Sequence, residues 1–176
     1  MDAAALRALQ GPVKERYKSD ASSAFITLKA RGTLDDAHIA CKVETGRALA
    51  VAGLHPATGG SGLELCSGDM LLEALVACAG VTLRAVATAL GVPLRGGTVS
   101  AEGDLDFRGT LGVSKEVPVG FEAVRLHFDL DTDAPPDQLA TLLKLTERYC
   151  VIYQTLQRPP ALAVSHQVHN SSGGAP

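Results

Sequence analysis

The segment from Asp69 to Leu90 constrains this chain more than any other, because it is an almost continuous apolar run with helical character and few polar interruptions. Met70 to Leu90 approaches the length that crosses a bilayer, about 20 apolar residues. Glu73, Thr82, Arg84 and Thr88 break it, however, and Arg84 would be costly in lipid. The segment therefore reads as a buried helix of a soluble protein, with no membrane partner. Asp69 is a suitable N-cap, and Leu90-Gly91 followed by Pro93 supplies stop signals. The helix is apolar on nearly every side, more than one small sheet can cover, so a second subunit is expected to cover the rest and make a homodimer.

Around this helix the pattern alternates. Residues 2 to 19 read as a helical arm, with Pro12 as a break or a first-turn residue. Three short strands are expected at Ala24–Arg31, His38–Glu44 and Arg47–Ala52, separated by turn signals at Asp35-Asp36 and Thr45-Gly46 and arranged as a meander. Beyond the helix, 98–108 and 121–131 alternate apolar with charged residues, each as a strand with one wet face. The acid-rich turn Asp131-Thr132-Asp133-Ala134-Pro135-Pro136 starts a helix through about Tyr149, and a short helix from Val151 to Gln157 and a last strand at Ala161–Val168 complete the order. Strands, long helix, strand pair, helices and strand give the α+β class. At 176 residues the chain suits one domain: an arm at 1–22, a domain at 23–168 and a flexible tail at 169–176.

Composition excludes several roles. The formal net charge of −3 leaves no basic surplus for a phosphate backbone, so nucleic acid is not an expected partner. Aromatic residues make up 4% with no Trp, which provides no platform for stacking bases or sugars. Met1 to Arg7 lacks a basic region followed by an apolar stretch and a cleavage site, so no signal peptide is expected and the cytoplasm is the expected compartment.

Four cysteines, Cys41, Cys66, Cys78 and Cys150, are too few and too widely spaced to staple a secreted scaffold. In a reducing compartment, a reactive pair is then more readily catalytic than structural. On a helical wheel Cys78 shares a face with Leu71, Ala74, Leu75, Val81 and Thr82. A small buried hydrophobe is the plain reading, and a functional one needs a neighbour that favours thiolate. Cys41 alternates with Ile39 and Val43 as core filling, and Cys66 precedes the helix as an alternative partner for Cys78. His38, His55, His127, His166 and His169 form no metal pattern with the cysteines, so neither metal nor cofactor is expected. Gly59-Gly60-Ser61-Gly62 lacks the P-loop lysine and reads as a loop.

The run from Ser67 to Arg84, with a carboxylate at the helix start, Leu-rich turns, small residues, Cys78 and then Thr82-Leu83-Arg84, resembles the central-helix signature of the OsmC/Ohr family, the osmotically inducible and organic hydroperoxide resistance proteins. Cys150 to Leu156 resembles that family's second-cysteine segment, with Val151 where members often carry Pro. The resemblance spans roughly 23 to 168. It implies an OsmC-like fold, with antiparallel sheets around a long central helix in an intertwined homodimer. It also implies a thiol-dependent peroxidase acting on organic or inorganic hydroperoxides. In that scheme Cys78 becomes a sulfenic acid, Cys150 resolves it to a disulfide and an external dithiol reductant restores both. A catalytic arginine from the N-terminal strands would activate Cys78, for which Arg31 is preferred over Arg47, and Asp69 matches the family's carboxylate. The alternative is an OsmC-like dimer that binds a small apolar ligand, with the cysteines as passive lining.

Overall fold

The computed structural model describes residues 2–20, 31–34, 40–44 and 49–168. Helix α1 spans Ala3–Ser19, capped by Asp2, whose carboxylate accepts from the Ala5 amide at 2.8 Å; it runs through Pro12 without ending there. Strands β1 (Arg31–Leu34), β2 (Ala40–Glu44) and β3 (Leu49–Gly53) form an antiparallel three-stranded sheet in sequence order, the expected meander. Residues 24–30, the two turns and Arg47 lie outside the described residues. Arg31 does not end a strand before Gly32: it pairs opposite Glu44, and the ladder continues through Gly32 opposite Val43 to Leu34 opposite Cys41.

After a single 3-10 turn at Pro56–Thr58, the chain returns to the sheet. Gly53 donates to Leu65 at 3.0 Å and Leu65 to Val51 at 2.9 Å, which fixes the entry to α2 (Ser67–Leu90). That helix begins earlier than its sequence suggests. Cys66, with extended backbone, holds the N-cap position without a side-chain cap bond, and Asp69 sits inside the first turn, where a carboxylate favours the positive end of the helix dipole. The far end falls where expected, at Gly91 in the left-handed region (φ 70°).

Strands β4 (Gly96–Asp104) and β5 (Ala123–Asp131) pair antiparallel from Gly96↔Asp131 to Asp104↔Ala123. On their exposed face Arg125 reaches across to Asp104 and Glu102, and Arg95 to Asp131 and Asp133. Such surface pairs contribute little to stability. β4 stops at Asp104 rather than 108. The Asp106 carboxylate accepts from the Arg108 amide at 2.9 Å and starts a one-turn helix, α3 (Phe107–Thr110), so local capping overrides the alternation. Helices α4 (Pro136–Tyr149) and α5 (Val151–Gln157) follow as expected. The strand expected at Ala161–Val168 is not formed; the segment is irregular, with Leu162 90% and Val164 98% exposed. A strand exists only by pairing, and no described strand of this subunit pairs with it.

The core lies between α2, the β4–β5 sheet and α4. Leu75, Ala79, Leu83 and Ala87, spaced at four residues, form the buried stripe of α2. Leu83 and Ala87 cluster with Val92 and Leu142, packed by Phe128 and Leu130; Leu75 and Ala79 cluster with Cys150, packed by Val99, Leu126 and Tyr153. Leu142 is fully buried, so Leu142→Ala is expected to cost about 3 kcal/mol of unfolding free energy, read from the denaturant midpoint. A cost below about 1 kcal/mol would mean that this packing is not what holds α4 to α2.

Candidate active site: the thiols of Cys78 and Cys150

The two thiols come from opposite sides of the core. Cys78 sits mid-way along α2, one residue before the buried Ala79, and is half-buried. Cys150 is the single residue between α4 and α5, with extended backbone (φ −73°, ψ 108°) and 1% exposure. Its amide closes α4 on the Thr146 carbonyl at 2.9 Å, and its carbonyl opens α5 by accepting from Gln154 at 3.0 Å. The Gln154 side chain donates to the Glu147 carbonyl at 2.9 Å and ties the two helices together. A residue that ends one helix and starts another leaves the following amides without helical acceptors. Here those of Val151 and Ile152 favour the charged form of the Cys78 thiol.

This arrangement treats the two thiols oppositely. Burial by itself pushes the Cys78 thiol up, but the Ile152 amide, the Cys150 thiol, the Val151 amide and the Thr82 hydroxyl all favour its charged form, and the net shift is down from the ordinary thiol value. Burial also pushes Cys150 up; the Tyr153 amide opposes it, while the neighbouring Cys78, as acceptor and negative charge, adds to the rise. Cys78 is thus the thiol of the pair whose ionisation is favoured, and Cys150 the one whose ionisation is opposed. Both are unpaired by a disulfide. Two neighbouring thiols shifted in opposite directions can exchange with and bond to one another, the more readily ionised one as the better nucleophile.

Beside the pair runs a groove of about 540 Å³, walled by Leu71, Leu75, Phe121, Val124, Leu126 and Leu156, with Tyr153 shared between groove and thiols. The Phe121 ring packs against Gly103, where a Cβ would come within 2.5 Å of it.

The remaining expected site residues are placed elsewhere. Asp69 is nine residues before Cys78, about 13 Å along the helix axis, so within one subunit the two do not meet. Asp69 and Cys66 line a separate cleft with His55 and Phe107, whose rings stack at 4.8 Å, so Cys66 is not brought to Cys78 either. Arg31 is placed by its backbone at the start of β1, while its side chain and all of Arg47 lie outside the described residues, as does the side chain of Cys41. Burial weighs most on the Cys78 thiol, and the described groups that oppose it are neutral, the Ile152 and Val151 amides with the Cys150 and Thr82 side chains; the expected arginine lies outside the described side chains. Backbone amides carry no sequence signal, but Thr82, one turn after Cys78 on the same face, did carry one. Among the described residues, no three His, Cys, Asp or Glu side chains are grouped to hold a metal.

Comparison with known proteins gives the same outline. The fold is similar to an OsmC-like protein from Mycoplasma pneumoniae (TM-score 0.64, 13% identity, 76% of this chain and 89% of that chain covered). It is also similar to organic hydroperoxide resistance proteins from Elizabethkingia anophelis (0.61, 15%, 77% and 91%) and Legionella pneumophila (0.59, 17%, 76% and 91%). At these identities the likeness speaks for the fold alone. No curated protein matches the chain in sequence. Residues 59–165, by contrast, match the family model described as OsmC-like protein. That match covers more than half of the chain and includes both cysteines of the pair, and by it this chain belongs to the OsmC-like family.

Proposed function

We propose that this protein is a thiol-dependent peroxidase that reduces organic hydroperoxides. The observation that carries the reading is the facing pair itself: Cys78 held toward thiolate by the groups that keep Cys150 beside it as a thiol. The Cys78 thiolate attacks the terminal oxygen of the hydroperoxide. An S–O bond forms, the O–O bond breaks, and the departing alkoxide takes a proton to leave as the alcohol. Cys150 then attacks the sulfenic sulfur, the S–S bond forms and the sulfenic oxygen leaves as water. An external dithiol reduces the disulfide and is itself oxidised. The Leu-lined groove favours a hydroperoxide with an apolar body over hydrogen peroxide. Consumption of an alkyl hydroperoxide with a dithiol reductant is the direct assay. Turnover is expected, and binding of apolar molecules without consumption would favour a ligand-binding dimer instead.

We also read the protein as a cytoplasmic homodimer, its four cysteines being too few and too widely spaced to staple a secreted scaffold. Length and composition would let α2 cross a membrane, but its Leu75–Ala87 stripe is buried against protein. The opposite side is open, with Val81 74% exposed, and the irregular 161–168 segment presents Leu162 and Val164. A second copy covering both removes apolar surface worth about 25 cal/mol per Å². Light scattering at micromolar concentration should give twice the 18.2 kDa of one chain; a single-chain mass would contradict the dimer.

A further inference from the structure

The groove beside the thiols adjoins the cleft at the start of α2, which has a volume of about 510 Å³. Among the described residues only Leu71, Gly120 and Phe121 line both. One end of the groove lies at the thiols, where Leu75, Leu126 and Tyr153 also pack in the cluster that holds Cys150 and Cys78. The other end is marked by Leu71, one turn before Leu75 and about 10 Å from Cys78 along the helix axis. There the Phe121 ring fills the space between β4 and α2. Its Cδ1–Cε1 edge lies against Gly103, and its Cζ tip stands 3.4 Å from where a Cβ on Gly68 would be, so two residues without side chains make room for it. The Glu122 amide donates to the Asp104 carbonyl at 2.9 Å, which carries the pairing one residue beyond β5 and holds Phe121 in place. Of the three shared residues, Gly120 has no side chain and Leu71 is exposed, which leaves the half-buried ring as the partition.

We propose that Phe121 is a specificity-determining residue: its ring closes the far end of the groove and sets the longest apolar body that can lie there with its reactive end at Cys78. That the occupant is a hydroperoxide rests on the peroxidase reading; that the ring is the wall does not. Beyond the ring, Leu54, Leu105 and Phe107 share the cleft with His55, Thr58 and Asp69, so the space is apolar enough to receive a chain that passes the wall. A chain that stops short of the ring gains affinity with each methylene it buries, about fourfold apiece, and one that reaches the ring gains nothing from further carbons.

Straight-chain primary alcohols of rising length are the probe, because reduction of an alkyl hydroperoxide leaves an alcohol and an alcohol consumes no thiol. Their protection of Cys78 against iodoacetamide, mapped by peptide mass spectrometry on the full-length reduced protein, reads occupancy beside that thiol. In wild type, protection should strengthen about fourfold per methylene and then level off, and in Phe121→Ala the rise should continue for about two or more further carbons. The same levelling point in both proteins overturns the assignment, as does a rise in wild type that never levels or an absence of protection at every length. If Phe121→Ala alters the circular dichroism, Phe121→Leu replaces it under the same criteria. Reduction of a straight-chain alkyl hydroperoxide by the same wild-type preparation separates the two claims. A displaced levelling point with no wild-type turnover would sink the peroxidase reading and leave Phe121 as the wall of a ligand groove, whereas turnover with an unmoved levelling point would do the reverse.

Discussion

Cys78→Ser is expected to lose hydroperoxide turnover by more than about a thousandfold while the protein stays folded. Turnover needs an anionic nucleophile, and the donors around position 78 act on a thiol whose ionisation they bring toward neutral pH. A serine hydroxyl in the same cradle remains protonated at neutral pH and forms no sulfenic acid. The substitution is small and the position only half-buried, so circular dichroism should match wild type. Consumption of an alkyl hydroperoxide with a dithiol present reads the effect. Undiminished turnover would remove Cys78 from the mechanism.

Cys150→Ser should separate the first step from the second. Serine keeps a donor beside Cys78, so one equivalent of hydroperoxide should still be reduced. Without a resolving thiol, sustained turnover should fall at least about tenfold, and Cys78 should progress to the sulfinic acid. Because a resolving thiol captures the sulfenic acid before a second oxidation, over-oxidation confined to the variant is the clearest sign that Cys150 is the resolving group. Peptide mass spectrometry after excess hydroperoxide should find the sulfinic mass at Cys78 in the variant and not in wild type. Normal cycling in Cys150→Ser would move the resolving role to another thiol, with Cys66 the first to examine.

The path to this pair was partly legible in the sequence. The apolar run gave α2 and its end, because Gly91 can take the left-handed backbone that stops a helix. Alternation gave β5, and the split of α4 from α5 at Cys150 followed from the pattern on either side. The misses share a cause. Asp106 ends the β4 alternation by capping α3, and the true start of α2 at Ser67 is set by the Leu65 bridge to β3, both tertiary or side-chain events that periodicity does not encode. Residues 161–168 carry a strand pattern whose partner is not in the described part of this subunit. At the site, the cysteines and Thr82 were visible as side chains on a helix face, whereas the Val151 and Ile152 amides act through the backbone, which any residue but proline supplies. Val151 is therefore an informative departure: a proline there would remove one of the donors facing Cys78.

The most direct measurement maps the thiols of wild-type protein by mass spectrometry before and after one equivalent of an alkyl hydroperoxide, without added reductant. The facing thiols and their opposite shifts call for a Cys78–Cys150 disulfide formed in proportion to the peroxide consumed, with Cys66 still free. Both thiols unchanged, or a Cys66–Cys78 disulfide in place of that bond, would contradict it.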